Sequence, residues 1–143
     1  MTRMTSTLLE LHVPSFEPVR KFYAQLGFET CWEHPPEGRK GYLVLALEEN
    51  VLCFWSGNEE IHSHKYFRTF GKNAPNGVGV EIVLQVSNLA SYYEQVKSDI
   101  EIFEPIQLRP WGLKDFRIVD PFGYYLRLTE RFDIRDINYG GRV

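Results

Sequence analysis

An internal repeat constrains the fold of this chain more than any other feature of its sequence. Residues 8–28 (LLELHVPSFEPVRKFYAQLGF) and residues 81–96 (EIVLQVSNLASYYEQV) each begin with alternating residues, pass a turn and continue with helical spacing. The two segments are offset by 73 residues, since Val13 corresponds to Val86. Self-similarity at a fixed spacing indicates one supersecondary unit used more than once. The repeat therefore predicts two copies of one module that share a ligand cleft between them.

Each copy has the residue pattern of a βαβββ module. Alternation through Val13 predicts a strand, Ser15 is a suitable helix cap, and Gly27 ends the helix. Turn residues separate the further strands predicted at 28–34, 42–47 and 51–56. The second copy has a cap at Ser87 or Asn88 and strands predicted at 101–108, 115–119 and 124–130. We expect a single domain with module one at about 5–57, a connector at 58–77, module two at about 78–131 and a tail at 132–143.

Size and charge exclude several classes of protein. A chain of 143 residues can bury a core without disulfides or a structural metal, and its two cysteines, Cys31 and Cys53, form no CxxC motif. The net charge of −3 argues against a nucleic-acid partner. No apolar stretch is long enough for a membrane span, and the first residues lack a signal-peptide core, which predicts a cytoplasmic protein without a membrane partner.

With these motifs the chain resembles the vicinal oxygen chelate superfamily, which includes glyoxalase I, extradiol dioxygenases, fosfomycin-resistance enzymes and bleomycin-binding proteins. The resemblance rests on VPSFEPVRKFYAQLGF in the first half and on VSNLASYYEQV and WGLKDFRIVDPFGYYLRLTE in the second. It implies an α+β fold in which paired βαβββ modules form an eight-stranded half-barrel around a cleft. It also implies a homodimer.

The resemblance assigns four positions to metal ligands in the metal-dependent members: Leu8, Cys53, Glu81 and Arg127. Leucine offers no donor atom, and arginine would put a fixed positive charge where the ion should bind. One carboxylate and one thiol are too few donors for a divalent cation. We therefore expect neither a metal nor another cofactor.

Strand alternation predicts which residues face a ligand instead, because residues two apart on a strand share a face. The residues predicted to bind ligand in this way are Glu10, His12, Trp55, Glu81, Tyr125 and Arg127. Trp111 joins them because its segment resembles metal-free bleomycin-binding proteins, whereas Trp32 has less support from alternation. Since either charge buried alone is costly, Glu81 and Arg127 should form an ion pair.

These features predict a metal-free, resistance-type protein that binds a small molecule and sequesters a cationic aromatic drug or metabolite. We predict no catalytic residues, because no nucleophile and base are paired in the sequence. One alternative is a metal-dependent enzyme of the same superfamily: a glyoxalase-like lyase, isomerase, dioxygenase or fosfomycin-type transferase. Its metal would need an unexpected set such as Glu10, His12 and Glu81. Another alternative is a sensor or interaction subunit without a small ligand.

His62 and His64 lie in the polar connector, HSHKYF. Two histidines separated by one residue can chelate a metal when the backbone is extended. The surrounding polar residues instead favour a solvated loop.

Overall fold

A computed structural model describes residues 7–34, 41–56 and 59–136. The chain divides into two compact units, residues 1–74 and 75–143, and each unit contains one copy of the repeat. Both copies have the element order βαβββ, which confirms the predicted α+β class and its two modules. Among the described residues, no helix is long and apolar enough to cross a membrane.

The first unit is a four-stranded sheet covered by one helix. Its elements are β1 (Glu10–His12), α1 (Glu17–Gln25), β2 (Glu29–His34), β3 (Tyr42–Leu47) and β4 (Asn50–Trp55). The strand order is β1-β4-β3-β2, with β1 parallel to β4. The helix packs on one face of the sheet, where the buried ring of Tyr23 lies 5.2 Å from that of Phe54.

The ends of α1 match the sequence prediction at one end only. The helix is capped by Phe16 without a side-chain hydrogen bond, so the prediction of a Ser15 cap is wrong. Pro18 stands in the first turn, where its fixed φ suits a helix and its missing N–H costs nothing. The predicted end at Gly27 is confirmed, since Gly27 has φ +94° and donates its N–H to the Ala24 carbonyl.

The connector contains regular structure where the sequence predicts a loop. A short helix, α2, covers Glu59–Ser63, and a 3-10 turn covers Phe67–Thr69. His64 Nδ1 accepts hydrogen bonds from the backbone N–H groups of Tyr66 (3.0 Å) and Phe67 (3.3 Å). This ring nitrogen therefore orders the local backbone.

The second unit repeats the same arrangement. Its elements are β5 (Ile82–Gln85), α3 (Leu89–Val96), β6 (Glu104–Leu108), β7 (Lys114–Val119) and β8 (Tyr125–Thr129), in the sheet order β5-β8-β7-β6. Of the two predicted caps, Ser87 and Asn88, the N-cap is Asn88, which is in the left-handed conformation and makes no side-chain cap hydrogen bond. The Tyr93 ring packs 4.9 Å from that of Phe116. In the DPFG turn, Asp120 Oδ1 accepts the N–H groups of Phe122 and Tyr124.

The strand registers confirm the alignment of the two copies. Glu10 is opposite Cys53 in the β1–β4 pair, and Val83 is opposite Arg127 in the β5–β8 pair. Cys53 and Arg127 therefore occupy equivalent positions. Strand alternation also predicts which residues face the helices, and all of them except the half-buried Leu9 are buried: Leu9, Leu11, Leu52, Phe54, Ile82, Leu84, Leu126 and Leu128. We call the face of each sheet that lies opposite α1 or α3 its helix-free face.

Candidate functional site

The helix-free face of the first sheet carries three of the predicted ligand-binding residues: Glu10, His12 and Trp55. His12 is opposite Trp55 in the β1–β4 pair, and the two rings lie edge to face with centroids 4.9 Å apart. Burial lowers the pKa of His12, and the neighbouring His62 lowers it further. The His12 imidazole therefore favours the neutral form.

Two aromatic residues that the site prediction omits lie on the same face. Tyr42 is opposite Trp55, and its hydroxyl donates a 2.6 Å hydrogen bond to Glu10 Oε1. Burial raises the pKa of Tyr42, and the hydrogen bond to Glu10 raises it further, so the phenol stays protonated as the donor. Trp32 stacks on Tyr42 at 5.4 Å with an 18° angle between the rings. Trp32 is about half exposed (48%), which leaves aromatic surface available to a ligand.

A β-bulge explains why alternation gives little support to Trp32. In the β2–β3 pair, Thr30 is opposite Leu45 but Trp32 is opposite Val44, so Cys31 is the extra residue. One inserted residue moves every later side chain of the strand to the other face. Trp32 consequently shares the helix-free face with Tyr42. Tyr42 itself lies on a regular strand, and alternation with Leu43 would have found it.

The second sheet confirms the predicted ion pair and adds a further cation to it. Arg127 Nε lies 3.5 Å from Glu81 Oε1, and Arg117 Nη1 lies 3.2 Å from the same oxygen. Arg117 is opposite Arg127 in the β7–β8 pair, so two like charges are neighbours. Glu81 offsets their repulsion.

A buried carboxylate extends this network. Asp115 is fully buried, and its Oδ1 accepts hydrogen bonds from Arg109 Nε (2.7 Å) and Arg117 Nε (3.4 Å). Arg109 Nη2 also donates to Glu104 Oε2 at 2.8 Å. We call the resulting series of alternating charges the ionic ladder: Glu104, Arg109, Asp115, Arg117, Glu81 and Arg127. The site prediction omits Asp115 and Arg117, although their alternation with Phe116 and Ile118 could have found both.

An open pocket of about 190 Å³ lies where the ladder ends. It is lined by Trp111, Arg127, Thr129, Phe132 and Ile134. The guanidinium carbon of Arg127 is 5.8 Å from the centre of the Trp111 ring, within the range of a cation–π contact. Thus the two predicted residues that come together here are Trp111 and Arg127. Tyr125, also predicted, is not among the lining residues and packs edge-on against Phe103 at 5.8 Å.

Two walls of this pocket come from the segment that the sequence predicts as a tail. The backbone N–H of Phe132 donates a 2.9 Å hydrogen bond to Gln85 Oε1. Arg131 Nε donates to Ser87 Oγ at 3.1 Å. These bonds fasten the chain after β8 to the end of β5, and Phe132 and Ile134 then line the pocket. Isolated apolar residues in a polar segment gave no sequence signal for this role.

The residues at the four positions assigned to metal ligands do not fit a metal ion. The apolar side chain of Leu8 is largely exposed, and Cys53 is buried beside Tyr42. The Glu81 carboxylate is already shared by two guanidinium groups, one of which belongs to Arg127 itself. Within residues 7–34, 41–56 and 59–136, no group of three or more His, Cys, Asp or Glu residues is placed to hold a metal.

A family model identifies the class to which the chain belongs. The chain belongs to the Glyoxalase/Bleomycin resistance protein/Dioxygenase superfamily, whose family model matches residues 7–128. No curated protein sequence matches the chain.

Several solved structures share this fold. TioX from Micromonospora sp. ML1 has a TM-score of 0.64 at 17% identity, covering 89% of this chain and 96% of that chain. A bleomycin-binding protein complexed with bleomycin has a TM-score of 0.60 at 23% identity, covering 90% and 99%. A bleomycin resistance determinant encoded on the transposon Tn5 has a TM-score of 0.61 at 23% identity, covering 90% and 98%. At these identities the similarity establishes the fold and leaves function to the residues of the site.

Proposed function

We propose that this protein captures a planar small molecule by stacking it against Trp111, without a metal and without catalysis. The observation that carries the proposal is the open pocket in which Trp111 and Arg127 face a shared space with Phe132 and Ile134. Aromatic and aliphatic walls with a few polar groups are typical of ligand sites. The bleomycin complex among the structural neighbours supports this type of ligand.

The two sheets favour ligand groups of different charge. A cationic drug requires carboxylates that are not already paired with arginines. Glu81 contacts two arginines, so the second sheet gives a cationic ligand little support. Glu10 on the first sheet does support a cationic ligand, because this carboxylate lies beside the stacked rings of Trp32 and Tyr42. We therefore assign contacts with a cationic aromatic group to the first sheet.

A titration with bleomycin followed by tryptophan fluorescence tests the proposed capture. We expect a saturable change at micromolar drug, and about tenfold weaker binding in Trp111→Leu because stacking and apolar contact are lost. The matched control Phe70→Leu also replaces an aromatic ring by an aliphatic side chain, at an exposed position of the connector, and should leave the affinity unchanged. If micromolar bleomycin changes nothing, the drug assignment is removed.

Metal analysis of untreated protein separates this proposal from the enzyme alternative. Arg127 places a fixed cation beside Glu81, which disfavours a divalent ion there. We expect less than one tenth of an equivalent of transition metal per chain. One tightly bound ion per chain would replace the proposal with a metal-dependent enzyme of the superfamily.

A homodimer is part of the same proposal. The chain mass is 16.8 kDa, so light scattering should return twice this value. A monomer at micromolar concentration would remove the dimer and leave the pocket argument unaffected.

A further inference from the structure

We propose that the pocket of the second unit selects an aromatic carboxylate, whose carboxylate pairs with Arg127 and whose ring packs on Trp111. This inference rests on the proposed function, because it uses the same pocket and names the class of ligand. The ligand group at this pocket is anionic, whereas the group assigned to the first sheet is cationic.

The order of charges along the ionic ladder is the first argument. Carboxylates and guanidinium groups alternate from Glu104 to Arg127, with three of each. Every interior member of this series has an opposite charge on both sides. Arg127 is the terminal member and lines the pocket, so the place next to it in the alternation is open to an anion.

The unused hydrogen-bonding capacity of Arg127 is the second argument. Its Nε is buried and has no hydrogen-bond partner among the described residues. Glu81 Oε1 lies 3.5 Å away and is closer to Arg117, at 3.2 Å, so Arg127 holds the weaker share of this carboxylate. A planar guanidinium presents its N–H groups as a fork that matches the two oxygens of a carboxylate. An anionic ligand would therefore supply what Glu81 supplies incompletely.

The walls and the size of the pocket define the rest of the ligand. Trp111, Phe132 and Ile134 offer apolar contact around one charged group. Pockets for drug-sized ligands measure about 300–1,000 Å³, whereas this pocket measures about 190 Å³. One aromatic ring with a carboxylate therefore fits, either as a free acid or as one end of a larger molecule. A cationic ring would meet the fixed charge of Arg127.

Three ligands of similar size and different charge test this inference on the unmodified protein: benzoate, benzyl alcohol and benzylamine. Binding is followed through the indole N–H signals of the three tryptophans in ¹H–¹⁵N spectra, with Trp111→Phe used to assign one signal. We expect benzoate to shift the Trp111 signal and to bind at least about tenfold more tightly than benzyl alcohol, as charge-assisted hydrogen bonds do. Benzylamine should bind more weakly than both. Equal affinity for the three ligands, or a preference for benzylamine, would overturn the proposal.

Arg127→Met supplies the second measurement, since it keeps an unbranched apolar stem and removes the guanidinium group. Benzoate and benzyl alcohol should then bind this variant with about equal affinity, because benzoate loses its charged partner. The matched control is Arg135→Met, which removes an exposed arginine paired with Asp133 and should keep the full preference. A preserved preference in folded Arg127→Met would contradict the inference. If the variant does not fold, the selectivity of the unmodified protein still decides.

The outcomes also separate this inference from the drug assignment. Benzoate selectivity without bleomycin binding supports the carboxylate pocket and removes the drug. Bleomycin binding without benzoate selectivity retains the proposed function and overturns the inference. A free aromatic acid is distinguished from the end of a larger ligand by lengthening the ring substituent of benzoate. Tighter binding of the longer acids would indicate the end of a larger ligand, and weaker binding would indicate a free acid. The methyl ester of benzoate should lose the preference, because it carries no charge.

Discussion

The two modules share one topology but differ sharply in chemistry at equivalent positions. On the helix-free face of the first sheet, the stacked rings of Trp32 and Tyr42 lie beside the Glu10 carboxylate. On that of the second sheet, arginines and carboxylates form the ionic ladder. The strand pairings of the two sheets identify equivalent positions. Tyr42 corresponds to Asp115, Val44 to Arg117, and Cys53 to Arg127.

This difference shows which residues determine the fold and which determine the site. The helix-facing positions are apolar and buried in both modules, as Leu11 and Leu84 illustrate. These positions supply most of the burial that holds each sheet to its helix. The helix-free positions contribute less to that core, so their chemistry can change while the topology persists.

Replacing the buried carboxylate of the second module should cause the largest loss of stability. In Asp115→Asn, the guanidinium groups of Arg109 and Arg117 lose their shared charge partner in a buried position. Removing one member of a buried ion pair costs about 3–5 kcal/mol, so we expect a loss near the lower end because Asn keeps the shape. Urea unfolding measures the change in the free energy of unfolding.

The matched control for this variant is Asp133→Asn, which removes the partner of Arg135 at the surface. Exposed pairs contribute about 0–1 kcal/mol. Equal losses in the two variants would show that the ladder has no special structural role.

The equivalent change in the first module should cost much less. Tyr42→Phe removes the hydroxyl that donates to Glu10, and this exposed carboxylate can bind water instead. We expect a loss of about 1 kcal/mol in the free energy of unfolding. In a double-mutant cycle, Glu10→Gln should cost less in the Tyr42→Phe background than in the native one. Additive losses would indicate that the Tyr42–Glu10 bond carries no energy.

The sequence predicted the module order and the buried faces because both follow from periodicity. Alternation placed Leu52 and Phe54 toward the helix, and both are buried. The offset between the copies paired Cys53 with Arg127, which the strand register confirms. These features depend on neighbours along one strand, which a single sequence displays directly.

The site was predictable only where the strands are regular. The Glu81–Arg127 pair follows from alternation, and the structure confirms it. Trp32 did not follow, because the bulge at Cys31 changes its face and leaves no local signal. Phe132 joins the pocket through a long-range bond to Gln85, and such contacts are invisible to periodicity.

The smallest expected effect concerns the pH dependence of stability in the first module. Burial lowers the pKa of His12 below its ordinary value of 6.5 in the folded chain. The unfolded chain therefore takes up this proton first as the pH falls, so the stability contribution of His12 is present above pH 6.5 and is lost below it. We expect urea unfolding of the unmodified protein to show a free energy of unfolding that declines from pH 8 to pH 5. This decline should be shallower in His12→Gln. Because His62 also lowers this pKa, His62→Gln should make the decline partly shallower. The control is His34→Gln, which changes an exposed histidine on β2 and should leave the decline as it is in the unmodified protein. An unchanged decline in His12→Gln would place the pH dependence elsewhere in the chain.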